Sequence, residues 1–147
     1  MLNEEMKREI ILDNFNNPIN KGLLEDKSYN IVSTNNESCV DKIDLGIKIE
    51  NNILKDIRFD GEACVITTST TSIMIKELIG KPVDQALELI ENYKNMLNEK
   101  SFNENIVGEA IVYKNSGKQL NRKKCALLTW DGVYDFLKSL KQNNNSF

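Results

Sequence analysis

Three cysteines and one aspartate carry the chemistry this sequence can do. Cys39, Cys64 and Cys125 are its only thiols, and Asp41 follows the first of them by two positions. An odd count cannot be fully paired as disulfides within one chain, and no CxxC occurs, so neither a thioredoxin-type pair nor a zinc ribbon is indicated. The chain has no histidine. That excludes Cys–His catalysis, the serine triad and every histidine-containing metal site. What remains is thiolate chemistry and metal ligation by sulfur and carboxylate. Three thiolates and one carboxylate form a four-ligand set suited to tetrahedral Zn²⁺. Three thiolates near a surface could also hold part of an iron–sulfur cluster. The plain alternative is three unrelated cysteines, since unpaired cysteine is among the most buried residue types.

Position allows a shared site, although such wide spacing is a weaker signal than paired CxxC knuckles. Each cysteine falls at a junction between elements, where residues distant in sequence can converge. Cys64 stands where a strand-like run ends and a helix begins. The first N–H groups of a helix lack internal partners and its dipole is positive there, so a thiolate is favoured. Cys39 lies in a loop before the clearest strand. Cys125 lies near the start of the last helix, just after Arg122, Lys123 and Lys124, cations that would favour its thiolate. The alternative for that triplet is a solvated basic turn.

The positioning elements follow from periodicity. Residues 3–15 read as an amphipathic helix that stops before Asn16-Asn17-Pro18. Tyr29–Thr34 reads as a first strand. Ile43, Leu45, Ile47 and Ile49 alternate with polar residues in the clearest half-buried strand, and Asn51-Asn52 makes a two-residue turn into Ile53, Lys55, Ile57 and Phe59. Helices are expected over residues 65–79, from Val83 to about Leu97, and from Arg122 onward. Residues 98–121 lose the pattern and read as an insertion-like segment. Residues 141–147 read as a frayed tail.

Composition sets the class. At 147 residues, 40% hydrophobic and 28% charged, the chain reads as one domain spanning 1–147 with enough length for a real core. A net charge of −3 leaves no basic field to draw nucleic acid or an anionic membrane. No segment approaches about 18 consecutive apolar residues, so no transmembrane helix is expected. The polar N-terminus argues against a secretory signal, and the expected compartment is the cytoplasm, where free thiols persist.

The segments Ser38-Cys39-Val40-Asp41-Lys42-Ile43, Gly61-Glu62-Ala63-Cys64 and Arg122-Lys123-Lys124-Cys125-Ala126-Leu127-Leu128-Thr129-Trp130 resemble the three cysteine motifs of the IscU/NifU-like iron–sulfur cluster assembly scaffold family. Asn17-Pro18-Ile19-Asn20-Lys21-Gly22 is similar to the family's Asn-Pro-x-Asn-x-Gly stretch. The likeness spans nearly the whole chain, including the NifU N-terminal domain type of motif order. It is strongest toward the SufU branch, which has an insertion before the third cysteine and a lysine directly before it, as Lys124 is here. The IscU branch carries a histidine there and a proline-rich chaperone motif upstream, both absent from this chain.

The resemblance implies an α+β fold, a small antiparallel three-stranded sheet with helices packed on one face (SufE/IscU-like). It implies a zinc-dependent sulfurtransferase that takes persulfide sulfur from a SufS-like, pyridoxal-phosphate cysteine desulfurase. Such a protein is a sulfur-transfer accessory rather than a stand-alone enzyme. Metal ligands would be Cys39, Asp41, Cys64 and Cys125. Cys39 would be the sulfur acceptor, Cys64 a fixed ligand anchored by its helix, and Arg122 an aid to docking or transfer. The alternative is an IscU-type scaffold holding a transient iron–sulfur cluster, or iron, on Cys39, Cys64 and Cys125 and passing it to apo iron–sulfur proteins or downstream carriers. A structural zinc domain without chemistry is a third possibility. Two departures stand out. Val40 replaces the usual glycine between Cys39 and Asp41, and a β-branched residue resists positive φ and stiffens the loop. Asp13-Asn14-Phe15 replaces an Asp-His-Tyr, a change expected to bear on surface contacts.

Overall fold

The alternation from Ile43 to Ile49 forms the middle strand of a three-stranded antiparallel sheet. The computed structural model describes residues 2–37 and 39–145, and the side-chain surroundings of residues up to 143. The sheet is a meander, β1 (Asn30–Asn35), β2 (Lys42–Glu50) and β3 (Ile53–Glu62), in the order β1-β2-β3. Ile43, Leu45 and Ile47 are fully buried on the helix-covered face. Asn51 (φ 52°) and Asn52 (φ 64°) close the β2–β3 hairpin in the left-handed region, as a two-residue turn of this kind requires.

The third strand departs from strict alternation. Pairing slips by one between Lys48↔Asp56 and Ile49↔Leu54, leaving Lys55 as the extra residue of a bulge. The slip changes which side chains face the core. Leu54 is buried together with Ile57 and Phe59, whereas unbroken alternation places Ile53 and Lys55 there. The Asn17–Gly22 stretch lies along the outer edge of β3. Gly22 N–H donates to Phe59 O (2.6 Å), Phe59 N–H donates to Asn20 O (3.1 Å), and Asn20 Nδ2 donates to Ile57 O (3.0 Å).

The helices are α1 (Glu4–Asn16), α2 (Val65–Leu78), α3 (Val83–Leu97), the single turn α4 (Glu104–Val107) and α5 (Leu120–Asn145), with a 3-10 helix over Gly108–Lys118. Among the described residues, none is long and apolar enough to cross a membrane. The segment without a helical pattern is therefore ordered. Its 3-10 helix repeats every three residues rather than every 3.6, so it leaves no α-helical stripe. Ala110, Val112 and Tyr113 are nevertheless buried. The tail expected to fray continues α5 to Asn145. Lys141 in it pairs with Asp84 at 2.8 Å, while Ser146 and Phe147 lie outside the described residues.

α2 is the axis of the molecule. Thr67, Ser69, Thr70, Thr71 and Ser72 are all fully buried, which is tolerable only because each hydroxyl finds a partner. Tyr113 donates to Ser69 Oγ (2.6 Å), and Trp130 Nε1 donates to Thr70 Oγ1 (2.9 Å). Thr70 and the Tyr93 hydroxyl share a 2.9 Å bond, as do Thr71 and Thr129. Tyr93 and Trp130 stack at 3.8 Å between ring centroids.

Asn14 corrects a sequence expectation. It is only 1% exposed, so the change from histidine bears on the interior rather than on surface contacts. Its Oδ1 accepts from Ser72 Oγ (2.9 Å) and Lys76 Nζ (2.7 Å), and its Nδ2 donates to Glu109 Oε1 (3.2 Å). One amide thus ties α1 to α2 and to the 3-10 helix.

The link from β3 to α2 passes through Gly61, whose φ is +135°. A Cβ there would lie 2.0 Å from Lys42 O, in the facing strand. Only glycine fits both demands. Gly61→Ala is expected to lose about 2–4 kcal/mol, the strain of a disfavoured backbone plus the clash. A lowered urea midpoint with an unchanged m-value would show it.

Candidate metal centre

Three elements deliver the four side chains. Cys64 is the N-cap of α2, with φ −68° and ψ 172°. Its Sγ accepts the Thr67 N–H at 3.5 Å, the bond an N-cap side chain makes to a helix's third residue. Asp41 sits at the end of the loop leading into β2. It is 2% exposed. Its Oδ1 accepts the Cys64 N–H (2.7 Å) and its Oδ2 accepts the Thr67 hydroxyl (2.5 Å). Cys125 lies in the second turn of α5 and is 6% exposed. Cys39 is the exposed member. Its N–H donates to Asn36 O (3.0 Å), and the Asn36 N–H donates to Asp41 O (3.0 Å), closing the loop on itself.

All four residues singled out in the sequence converge. One ligand atom from each of Cys39, Asp41, Cys64 and Cys125 lies within 4.8 Å of every other. A tetrahedral zinc, with Zn–S near 2.3 Å, spaces its ligand atoms roughly 3.6–3.8 Å apart. Cys64 Sγ and Asp41 Oδ2 already stand at 3.7 Å. The donors therefore fit one tetrahedral ion with a contraction of about 1 Å or less.

Electrostatics point the same way. Burial pushes the Asp41 carboxyl up, but the Thr67 hydroxyl and the Cys64 N–H outweigh it, with help from the Cys125 and Cys64 thiols. The net effect holds Asp41 below the usual carboxylate range. It is thus a buried negative charge, and no ion pair among the described residues engages it. Such a charge calls for a cation.

Cys125 overturns one expectation. Arg122 and Lys124 are exposed and Lys123 half-buried, and these cations do not govern its thiol. Burial, then contact with Asp41 and Cys64, pushes the Cys125 thiol well above its ordinary range. A cation bound there would act the other way, since a metal lowers the pKa of any thiol it holds.

Arg122 lies one turn of α5 before Cys125 and lines a groove with Arg8, Leu12 and Val65. That groove contains none of Cys39, Asp41, Cys64 and Cys125. Lys123 and Lys124 line a separate groove with Asn35, Asn36, Leu120 and Leu127. Val40 is 81% exposed and does not adopt a positive φ, so its β-branch imposes no left-handed strain on the Cys39 loop. Two contributors escaped sequence reasoning. Asn36 Nδ2 approaches Cys125 Sγ at 3.8 Å, and Thr67 contacts Asp41, Cys64 and the Cys125 carbonyl. The one available signal for Thr67 was its place three residues after an N-cap.

Comparison with known proteins gives a consistent picture. A family described as "NifU-like N terminal domain" matches residues 6–126. The zinc-dependent sulfurtransferase SufU of Bacillus subtilis (strain 168) is 33% identical over 131 residues, covering 88% of each chain. The iron–sulfur cluster assembly scaffold protein IscU of Thermotoga maritima is 31% identical over 142 residues, covering 97% of this chain and 99% of its own. A crystal structure from Fervidobacterium islandicum AW-1, named FiSufU for the SUF system, superposes with a TM-score of 0.81 at 31% identity. It covers 85% of this chain and 91% of its own.

The differing exposures order the thiols. In metal-free protein at pH 8, iodoacetamide is expected to label Cys39 first. Cys125 should react at least about tenfold more slowly, because each unit by which a thiol's pKa exceeds the pH costs a factor of ten in thiolate. Peptide mass mapping against time reads the order.

Proposed function

The chain belongs to the NifU-like N-terminal domain family, and we propose that it serves iron–sulfur cluster assembly as a SufU-like, zinc-dependent sulfurtransferase fed by a cysteine desulfurase. The observation that carries this reading is the convergence within 4.8 Å of three thiols and a buried carboxylate that has no ion pair among the described residues, with one thiol exposed. The relative of that name, 33% identical over 88% of the chain, supports it.

The roles divide by burial and anchoring. Cys64, held by the first turn of α2, and Cys125, buried in α5, serve as fixed ligands with Asp41. Zinc, when bound there, would keep the thiols deprotonated yet exchangeable. Cys39, exposed on its loop, is the acceptor. Its thiolate attacks the outer sulfur of the desulfurase's cysteine persulfide. A new S–S bond forms at Cys39, the donor's S–S bond breaks, and the donor cysteine leaves as thiolate. No net oxidation occurs, and any proton on the transferred sulfur travels with it. Arg122, which shares a groove with Val65, assists docking or transfer. The partner is a SufS-like, pyridoxal-phosphate desulfurase, and the recipients are apo iron–sulfur proteins or downstream sulfur or cluster carriers.

A second reading is an IscU-type scaffold on which a cluster is assembled on Cys39, Cys64 and Cys125. The Thermotoga relative, matching 97% of this chain, favours it.

Metal analysis of freshly purified protein, paired with a desulfurase assay, tests both. The sulfurtransferase reading expects one zinc per chain, strong stimulation of the desulfurase, and one added sulfur on Cys39 by mass spectrometry. Cys39→Ala should lose the stimulation, and a variant as active as wild type removes the acceptor role. Anaerobic reconstitution with iron and sulfide separates the scaffold reading. A protein that stays colourless and retains its zinc counts against it.

A further inference from the structure

We propose that Thr67 is a positioning residue of the metal centre, acting through Asp41, and that it binds the three anchored ligands into one unit while leaving Cys39 free. This rests on the reading that Cys39, Asp41, Cys64 and Cys125 hold zinc.

Thr67 is fully buried at the third position of α2. In an ordinary capping box the third residue's side chain accepts the N-cap N–H. Here a carboxylate from another loop is inserted into that arrangement. Asp41 Oδ1 takes the Cys64 N–H at 2.7 Å, and Asp41 Oδ2 takes the Thr67 hydroxyl at 2.5 Å. Both oxygens are thus oriented by one turn of one helix. Thr67 also donates its backbone N–H to Cys64 Sγ (3.5 Å), and its Oγ1 lies 3.2 Å from the Cys125 carbonyl oxygen. A single residue therefore touches the loop of Asp41, the N-cap of α2 and the backbone of α5. It makes no such bond to Cys39, whose N–H is held instead by Asn36 O.

Two effects of the hydroxyl compete. The hydroxyl's charge-assisted hydrogen bond to Asp41 withdraws negative charge from the carboxylate and weakens it as a metal ligand. Orienting the carboxylate toward the three sulfurs spares the cost of ordering it when a cation binds. Partners behind metal ligands generally raise affinity, and their removal costs about 10–100-fold. Orientation is thus the larger effect.

Zinc affinity by chelator competition tests the inference on wild type, Thr67→Val, Thr67→Ser, Asp41→Ala and the Asp41→Ala/Thr67→Val pair. Thr67→Val should weaken zinc by about 10–100-fold and change the d–d bands of the cobalt-loaded protein. Thr67→Ser, which keeps the hydroxyl, should stay within about threefold of wild type. Where Asp41 is already alanine, the valine change should add less than about threefold, because its route of action is gone. Thr67→Ala carries the same expectation if the valine variant does not melt cooperatively. A wild type that binds zinc while Thr67→Val stays within threefold of it overturns the role of Thr67 alone. So does an equal loss in both backgrounds. A wild type that holds no zinc overturns the metal reading and this inference together.

Discussion

A buried carboxylate joined to the first turn of a buried helix is the interaction on which this architecture turns. Asp41 is only 2% exposed, and burial alone would push its carboxyl pKa up. Two donors from α2 keep it charged, one of them the backbone N–H of the residue that also presents Cys64. One N–H of the helix start, that of Cys64, is thereby satisfied by a carboxylate that belongs to the candidate metal centre. Helix capping and site assembly are one event here. The position of Cys64 Sγ relative to Asp41 cannot be changed without uncapping the helix.

That arrangement demands that α2 itself be immobile, and its composition makes the demand hard to meet. Five hydroxyl residues in its first two turns are fully buried. Hydroxyls of this kind compete with helix hydrogen bonds and are costly in a core when unpaired. The surrounding elements answer with polar groups aimed inward. Tyr93 comes from α3, Tyr113 from the 3-10 helix, and Trp130 and Thr129 from α5. Asn14 comes from α1. Each neighbour is thus fixed to α2 by direction as well as by packing, and a directional core admits fewer alternative arrangements than an oily one.

The features readable in the sequence were those set by local rules. Alternation from Ile43 to Ile49 requires a half-buried strand, and paired asparagines suit a turn with positive φ. Cys64 follows a glycine at a strand-to-helix junction, so its helix-start position was visible. The convergence of Cys39, Asp41, Cys64 and Cys125 was suggested by junction position and sharpened by motif resemblance. What escaped was set by long-range contact. The bulge at Lys55 exchanges Ile53 for Leu54 in the core, and pattern alone cannot count an unpaired residue. The fate of Asn14 depends on a lysine, a serine and a glutamate far along the chain. The thiol of Cys125 is set by its neighbours in space rather than in sequence: Arg122 and Lys124 are exposed and Lys123 half-buried, while the thiol itself meets a carboxylate.

The division of labour at the site follows from the same contrast. A ligand can leave a four-coordinate centre only if its departure disturbs little else. Cys125 is buried within α5, so moving its sulfur disturbs packed structure. Cys64 and Asp41 cannot leave, because they cap α2 and each other. Cys39 alone is exposed and held by a loop closed on its own backbone through Asn36. Val40, beside it, keeps an unstrained backbone and shows 81% of its surface. The loop therefore presents an apolar side chain next to the most exposed of the three thiols.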